Sequence, residues 1–232
     1  MFIFGGMELK HVFFDLDHTL WDFDKNSELC FQQIFADYKI EIKLDEFLEI
    51  YNPINRAYWK RYREDKVSKA DLRYGRFKDT FDALNYKISD VLINTMSNKY
   101  IEDLSKHNYL INGALDVLNY LDQKYEIHII TNGFTEVQDL KLAKSKIKKY
   151  FSTITTSEHV GVKKPNSKIF EYALAQAKAS KEESVMIGDD LEADIEGAFW
   201  FGIQPIYFDL YKKNESTNYI TINSLLELKQ YL

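Results

Sequence analysis

Short apolar runs and helical stripes take turns along most of this 232-residue chain, and their order predicts its architecture. Val12-Phe13-Phe14 is an unbroken apolar run closing on Asp15, the pattern of a strand covered on both faces. Glu126-Ile127-His128-Ile129-Ile130 reads the same way and closes on Thr131-Asn132-Gly133. Residues 151–156, rich in Thr and Ile, predict a third strand. Ser184-Val185-Met186-Ile187 predicts a fourth, ahead of Gly188-Asp189, and Pro205-Ile206-Tyr207-Phe208 a fifth. Helical spacing fills the intervals, over 114–124, 137–148, 167–178 and 193–201. Strands alternating with helices build βαβ units and a parallel sheet.

One stretch departs from this rhythm. From about Asp24 to His107 no strand pattern occurs, while Cys30, Phe31, Ile34, Phe35 and Tyr38 recur at helical spacing. Further helices are predicted over 47–62, 69–84 and 89–104, with Pro53 expected to start or kink one of them. The expected fold class is therefore α/β. A Rossmann-like three-layer core with a parallel sheet is formed by 1–21 and 108–232, and an all-helical domain over 22–107 is inserted after the first strand.

Composition narrows the function classes. A hydrophobic content of 45% with 15% aromatics suits a packed globular core. The net charge of −6 argues against a groove for polymeric nucleic acid, which is usually basic, but not against a small anionic substrate. The single cysteine, Cys30, cannot close an internal disulfide and lies in an apolar stripe, so it is expected in the core. No run is long enough for a membrane span, and the apolar Met1-Phe2-Ile3-Phe4 lacks a basic flank and a cleavage site. A cytoplasmic protein is expected, with Met7 as an alternative start.

The chemistry sits where the strands end, and open α/β sheets bind ligands there. Asp15-Leu16-Asp17-His18-Thr19 places two carboxylates at i and i+2. Asp15 is suited to attack phosphorus as a nucleophile, and Asp17 to protonate the leaving oxygen and then deprotonate water. An anion attacking a phosphate dianion needs cations beside it. Asp189 and Asp194, with Asp15, offer hard oxygen ligands of the kind Mg²⁺ takes. Lys164 supplies a fixed positive charge and Thr131 a hydroxyl donor, with Asn132 a further candidate phosphate contact. Each fragment alone is weak; all in this order, each after an apolar run, point to phosphoryl chemistry.

These motifs resemble those of the haloacid-dehalogenase superfamily, over about residues 9–20 and 108–232. The helical insertion resembles the cap of that superfamily's first cap class. The resemblance implies that Asp15 is the nucleophile and that Asp17 is the general acid/base, its backbone carbonyl also serving the metal. It further implies that Thr131 and Lys164 position the phosphoryl group, that Asp189 binds Mg²⁺ and that Asp194 supports the ion. Haloacid dehalogenases proper lack a carboxylate at the Asp17 position, so its presence implies a phosphatase. Residues 14–23, 131–135 and 158–170, with Gly75-Arg76-Phe77, are further similar to bacterial 5′-nucleotidases that prefer pyrimidine deoxynucleotides.

Other readings stay open at this point. A sugar-phosphate or phosphoglycolate-type phosphatase, or a phosphomutase, would use the same fold, and a phospho-accepting receiver is the non-enzymatic rival. Tyr51, Asn55, Tyr58, Trp59, Tyr62, Arg73 and Arg76 are candidates either for substrate contact or for packing between helices, with packing favoured. The roles of Asp190 and Glu192, and the oligomeric state, are not set by sequence.

Overall fold

In the computed structural model, which describes residues 8–213 and 217–232, the predicted strands are β1 (His11–Phe14), β2 (Glu126–Thr131), β3 (Phe151–Thr156), β4 (Ser184–Gly188) and β5 (Gln204–Phe208). A sixth, β6 (Ile220–Ile222), was too short to show a pattern. All neighbours pair in parallel, in the order β3-β2-β1-β4-β5-β6. β1 is central, with His11 to Phe14 set beside Glu126 to Ile129 on one side and Ser184 to Ile187 on the other. The chain order thus reverses direction at β1, so the crevice at the carboxyl ends of β1, β2 and β4 is a topological switch point. Met1 to Phe4 and Met7 lie outside the described residues.

The chain divides into two compact units. Asp24–His107 holds almost all of α1 (Phe23–Tyr38), together with α2 (Leu44–Arg63), α3 (Lys69–Ala83) and α4 (Asp90–Asp103). Ser68 opens α3 with a capping box, its hydroxyl accepting from the Asp71 N–H and the Asp71 carboxylate accepting from the Ser68 N–H. The interior of this unit is aromatic: Phe31 packs on Phe47, Tyr51, Phe77 and Tyr100 with ring centroids 4.7 to 5.5 Å apart. Cys30 is buried there, and burial pushes its thiol up to about 12, which suits a packed residue and not a reactive one. Pro53 does not start a helix but stands exposed inside α2, between Tyr51 and Asn55, which face the interior.

The other unit, up to Phe23 and from Asn108 to Leu232, carries the sheet with α5 (Ala114–Leu121), α6 (Thr135–Lys144), α7 (Ser157–Val160), α8 (Ser167–Ala177) and α9 (Gly197–Phe201). Phe13, Ile130 and Met186 from three adjacent strands pack against Ile169, Phe170, Ala173 and Leu174 of α8. The helix predicted over 193–201 begins earlier, as a π-helix over Leu191–Glu196 that passes into α9. α6 stops at Lys144, and Lys146 adopts a left-handed φ of 61°, so the lysine-rich 144–149 stretch is a helix end. No helix among the described residues is long and apolar enough to cross a membrane.

Candidate active site

The Asp15 N–H donates to the Ile187 carbonyl at 2.9 Å, the last rung before the chain leaves the sheet. The segment then folds back on itself: Leu20 and Trp21 both donate to the Leu16 carbonyl, and His18 takes a φ of 63° at the bend. This tight turn separates the two carboxylates of the Asp15-Leu16-Asp17 motif. Asp15 is buried, while Asp17 is only partly so.

Lys164, 1% exposed, is at the centre of the site. Its ammonium lies 2.6 Å from Asp15 Oδ1, 2.6 Å from the Ile130 carbonyl and 2.7 Å from Asp194 Oδ1. The Asn132 side chain has a different occupation from the expected phosphate contact. Its amide oxygen accepts from the Lys164 N–H at 2.8 Å and its amide nitrogen donates to the Lys164 carbonyl at 3.0 Å. Asn132 therefore clamps the backbone that presents the lysine.

Thr131 ends β2 with its hydroxyl accepting twice, from Gln138 Nε2 at 2.7 Å and from the Gly133 N–H at 3.1 Å. A hydroxyl has two acceptor positions and one proton to give. With both acceptor positions taken, its proton is what Thr131 has to offer a phosphoryl oxygen. Gly133 is required for this packing, because a Cβ there would stand 2.4 Å from Gln138 Nε2.

Asp189 and Asp194 follow β4. Asp189 Oδ1 accepts from Thr19 Oγ1 at 3.1 Å. Asp194 folds under Gly188, where a Cβ would fall 2.3 Å from its Oδ2, and that oxygen accepts from the Asp190 N–H at 3.1 Å. Asp190 itself caps the π-helix, its Oδ1 accepting from the Ala193 N–H at 2.9 Å, which gives it a structural role; Glu192 is exposed.

Carboxylate oxygens of Asp15, Asp189 and Asp194 all lie within 4.8 Å of one another. Burial pushes the Asp15 carboxyl up to about 8 against the pull of Lys164, with Asp194 adding to the rise. Burial, and then the Asp15 charge, also raises Asp189, and Asp194 is raised by burial despite Lys164. Burial works against the charge of Lys164, but Asp15 and Asp194 outweigh it and hold the lysine protonated above its usual range. One ammonium cannot neutralise three crowded carboxylates. An all-oxygen, over-anionic donor set is what a hard divalent cation binds, so these residues fit Mg²⁺. The side chain of Asp17, whose backbone carbonyl is the group expected to serve the metal, lies outside this carboxylate cluster. Its Oδ1 accepts from Lys141 Nζ at 2.6 Å and its Oδ2 from Gln138 Nε2 at 2.9 Å.

Gln138 and Lys141 were not anticipated. The available signal was helical spacing: Phe134, Val137, Gln138, Lys141 and Leu142 form one buried stripe along α6, in which two polar side chains break an apolar pattern.

Comparison with known proteins defines the class. Residues 12–208 match the family of haloacid dehalogenase-like hydrolases. The chain is 32% identical to pyrimidine 5′-nucleotidase YjjG of Escherichia coli K12, over 97% of this chain and 99% of that protein. It is also 32% identical to pyrimidine 5′-nucleotidase PynA of Streptococcus pneumoniae R6, over 88% and 85%. Among solved structures, the magnesium-bound HAD-hydrolase YfnB of Bacillus subtilis superposes with a TM-score of 0.87 at 28% identity, covering 97% of this chain and 99% of that one. The chain belongs to the haloacid dehalogenase-like hydrolases, and it is an enzyme of the phosphatase kind within that family.

Proposed function

We propose that this enzyme is an Mg²⁺-dependent phosphomonoester hydrolase that works through a phosphoaspartate on Asp15, with pyrimidine nucleoside 5′-monophosphates as its substrates. The carrying observation is the geometry around Lys164: a buried carboxylate held on an ammonium, with a second, partly exposed carboxylate two residues on. The likeness to YjjG and PynA along most of the chain supports the nucleotide reading.

In the first half-reaction an Asp15 oxygen forms a bond to phosphorus and the bond from phosphorus to the ester oxygen breaks. The electron pair stays on that oxygen, which takes a proton from the Asp17 carboxyl. In the second, the Asp17 carboxylate removes a proton from water, whose oxygen attacks phosphorus and releases inorganic phosphate from Asp15. Lys164 and the Thr131 proton face the phosphoryl oxygens as their charge shifts. Asp15, Asp189 and Asp194 would hold the Mg²⁺, which supplies charge neutralisation for the anion-on-anion encounter.

The test is phosphate release across a panel of monophosphates: dUMP, dTMP, UMP, AMP, glucose 6-phosphate and phosphoglycolate. Preference for the pyrimidine deoxynucleotides, abolished by EDTA and restored by Mg²⁺, is the expected result. A sugar phosphate at the top of the profile overturns the nucleotide assignment and leaves the hydrolase. Transfer of phosphate between sugar hydroxyls without release points to a mutase.

A further inference from the structure

Both carboxylate oxygens of Asp17 are held by donors from α6. We infer that Lys141, with Gln138, is the positioning device of the acid/base residue, an inference that rests on the phosphatase reading above. The contacts, the burial and the placement of these side chains carry it. Lys141 Nζ lies 2.6 Å from Asp17 Oδ1, and Gln138 Nε2 lies 2.9 Å from Asp17 Oδ2, so each carboxylate oxygen has its own donor. Both donors come from α6, at a spacing of three residues, and so move as one rigid face.

Lys141 is also unlike a surface lysine. Its side chain is 3% exposed against 22% for that of Asp17, so the charge that stays fixed is the lysine's. Its ammonium lies 4.4 Å from the Trp21 ring centre and 5.3 Å from that of Phe23, faces that hold a cation without competing for its hydrogen bonds. Surface ion pairs are weak because two long side chains must be ordered; here packing has already ordered the lysine.

With Asp17 ionised, the orientation of Gln138 follows from its partners. Its Nε2 donates both to Asp17 Oδ2 and to Thr131 Oγ1, and the reversed amide would set a carbonyl oxygen against a carboxylate. Gln138 therefore couples the acid/base to the phosphate donor, while Lys141 aims the acid/base. A carboxyl group has about four lone-pair positions, so two accepted hydrogen bonds still leave room for the proton that Asp17 delivers.

Positioning of a general acid has a signature that general structural damage lacks. It matters for an ester whose leaving alkoxide must be protonated and little for one that leaves as p-nitrophenolate. The ratio kcat/KM reports the steps up to departure of the leaving group and so isolates this half-reaction. Lys141→Met is expected to lower kcat/KM about 100-fold for dUMP and only a few-fold for p-nitrophenyl phosphate, within the range general acid catalysis contributes. Lys141→Arg, which keeps a cation over Trp21, is expected to recover part of the dUMP loss. Turnover of p-nitrophenyl phosphate doubles as the control for folding.

If wild type prefers another alkyl monoester in the panel, that ester replaces dUMP, because the contrast depends on the leaving group and not on the nucleoside. Equal losses with both esters, or no loss with the alkyl ester, overturn the positioning role. A wild-type enzyme inert toward every monoester overturns the phosphatase reading and this inference with it.

Discussion

Both compact units seal cations from water, and two of these, Lys164 and Arg76, are held in opposite ways. Lys164 in the α/β unit and Arg76 in the helical unit are each 1% exposed. Lys164 is ringed by full charges, with Asp15 and Asp194 within 2.7 Å. Arg76 donates to the neutral Asn55 Oδ1 at 2.9 Å and lies over the rings of Tyr100, Phe77 and Tyr51, with centroids 5.0, 5.8 and 5.9 Å away. The difference separates a cation set among crowded carboxylates from one set among neutral partners. Around Lys164 the carboxylates outnumber the positive charge and stay hungry for another cation. Around Arg76, dipoles and π-faces accommodate the charge without leaving an anion unmatched. Arg76 and its neighbours Tyr51 and Asn55, candidates for substrate contact on sequence, are interior packing of the helical unit.

Substitutions sharpen this contrast, beginning with the strongest. Asp15→Asn removes the nucleophile and is expected to cut phosphate release by about 10⁴-fold or more. Its melting temperature should hold or rise, because one of the crowded buried carboxylates is gone. Near-normal turnover in this variant would rule out the phosphoaspartate.

Lys164→Met comes next and should fail in both assays. Turnover is expected to fall by about 10³-fold, through loss of a preorganised charge. Stability is expected to fall by about 3–5 kcal/mol, because the carboxylates lose their buried partner. Denaturant unfolding in parallel with the rate assay separates the two effects.

Arg76→Met is the counterpart in the helical unit. A loss of roughly 1–3 kcal/mol is expected, from the unpaired Asn55 oxygen, with kcat within about twofold of wild type. A large fall in kcat with unchanged stability would erase the distinction between the two cations.

The smallest effect concerns a buried pair at the opposite ends of the strands. His128 Nε2 lies 3.1 Å from His11 Nδ1, and the other His128 nitrogen lies 2.9 Å from Thr153 Oγ1. Burial, and secondarily the charge of His11, lowers His128 to about 4. Between that value and the ordinary 6.5 the unfolded chain binds the extra proton, so the His128 contribution to stability falls as the pH drops from about 6.5 to 4, while the raised Asp15 carboxyl contributes in the opposite sense. The loss is expected to be on the order of 2 kcal/mol. Unfolding curves of wild type and His128→Gln at pH 7 and 5 isolate it: the variant is expected to gain on wild type at pH 5 relative to pH 7, and an unchanged difference between the two proteins overturns it.

Much of this was legible along the chain. Strands β1, β2, β4 and β5 stood out because parallel strands covered on both faces read as unbroken apolar runs, and β3 through its Thr and Ile content. β6 did not, because three residues with a central Thr carry too little pattern. Pro53 lies inside α2 and not at its start, because the packing of the helix on both sides of it outweighs the one backbone hydrogen bond that proline cannot make. Asp15, Thr131 and Asp189 were found because each ends or directly follows a strand, while Lys164 and Asp194 lie further on, past α7 and inside the π-helix.

What the sequence by itself determined is therefore the order of elements and the residues brought to the carboxyl end of the sheet. Apolar periodicity and strand termini are local properties, and local properties survive in one dimension. Only the tertiary structure decided what each side chain does there: Asn132 holds the Lys164 backbone with both ends of its amide, the Asp17 carboxylate lies outside the Asp15, Asp189 and Asp194 cluster, and Lys141 and Gln138 meet it from α6. Those roles depend on which polar groups end up within about 3 Å of one another. Residues 121 and 124 positions apart come that close only after the sheet has closed around them.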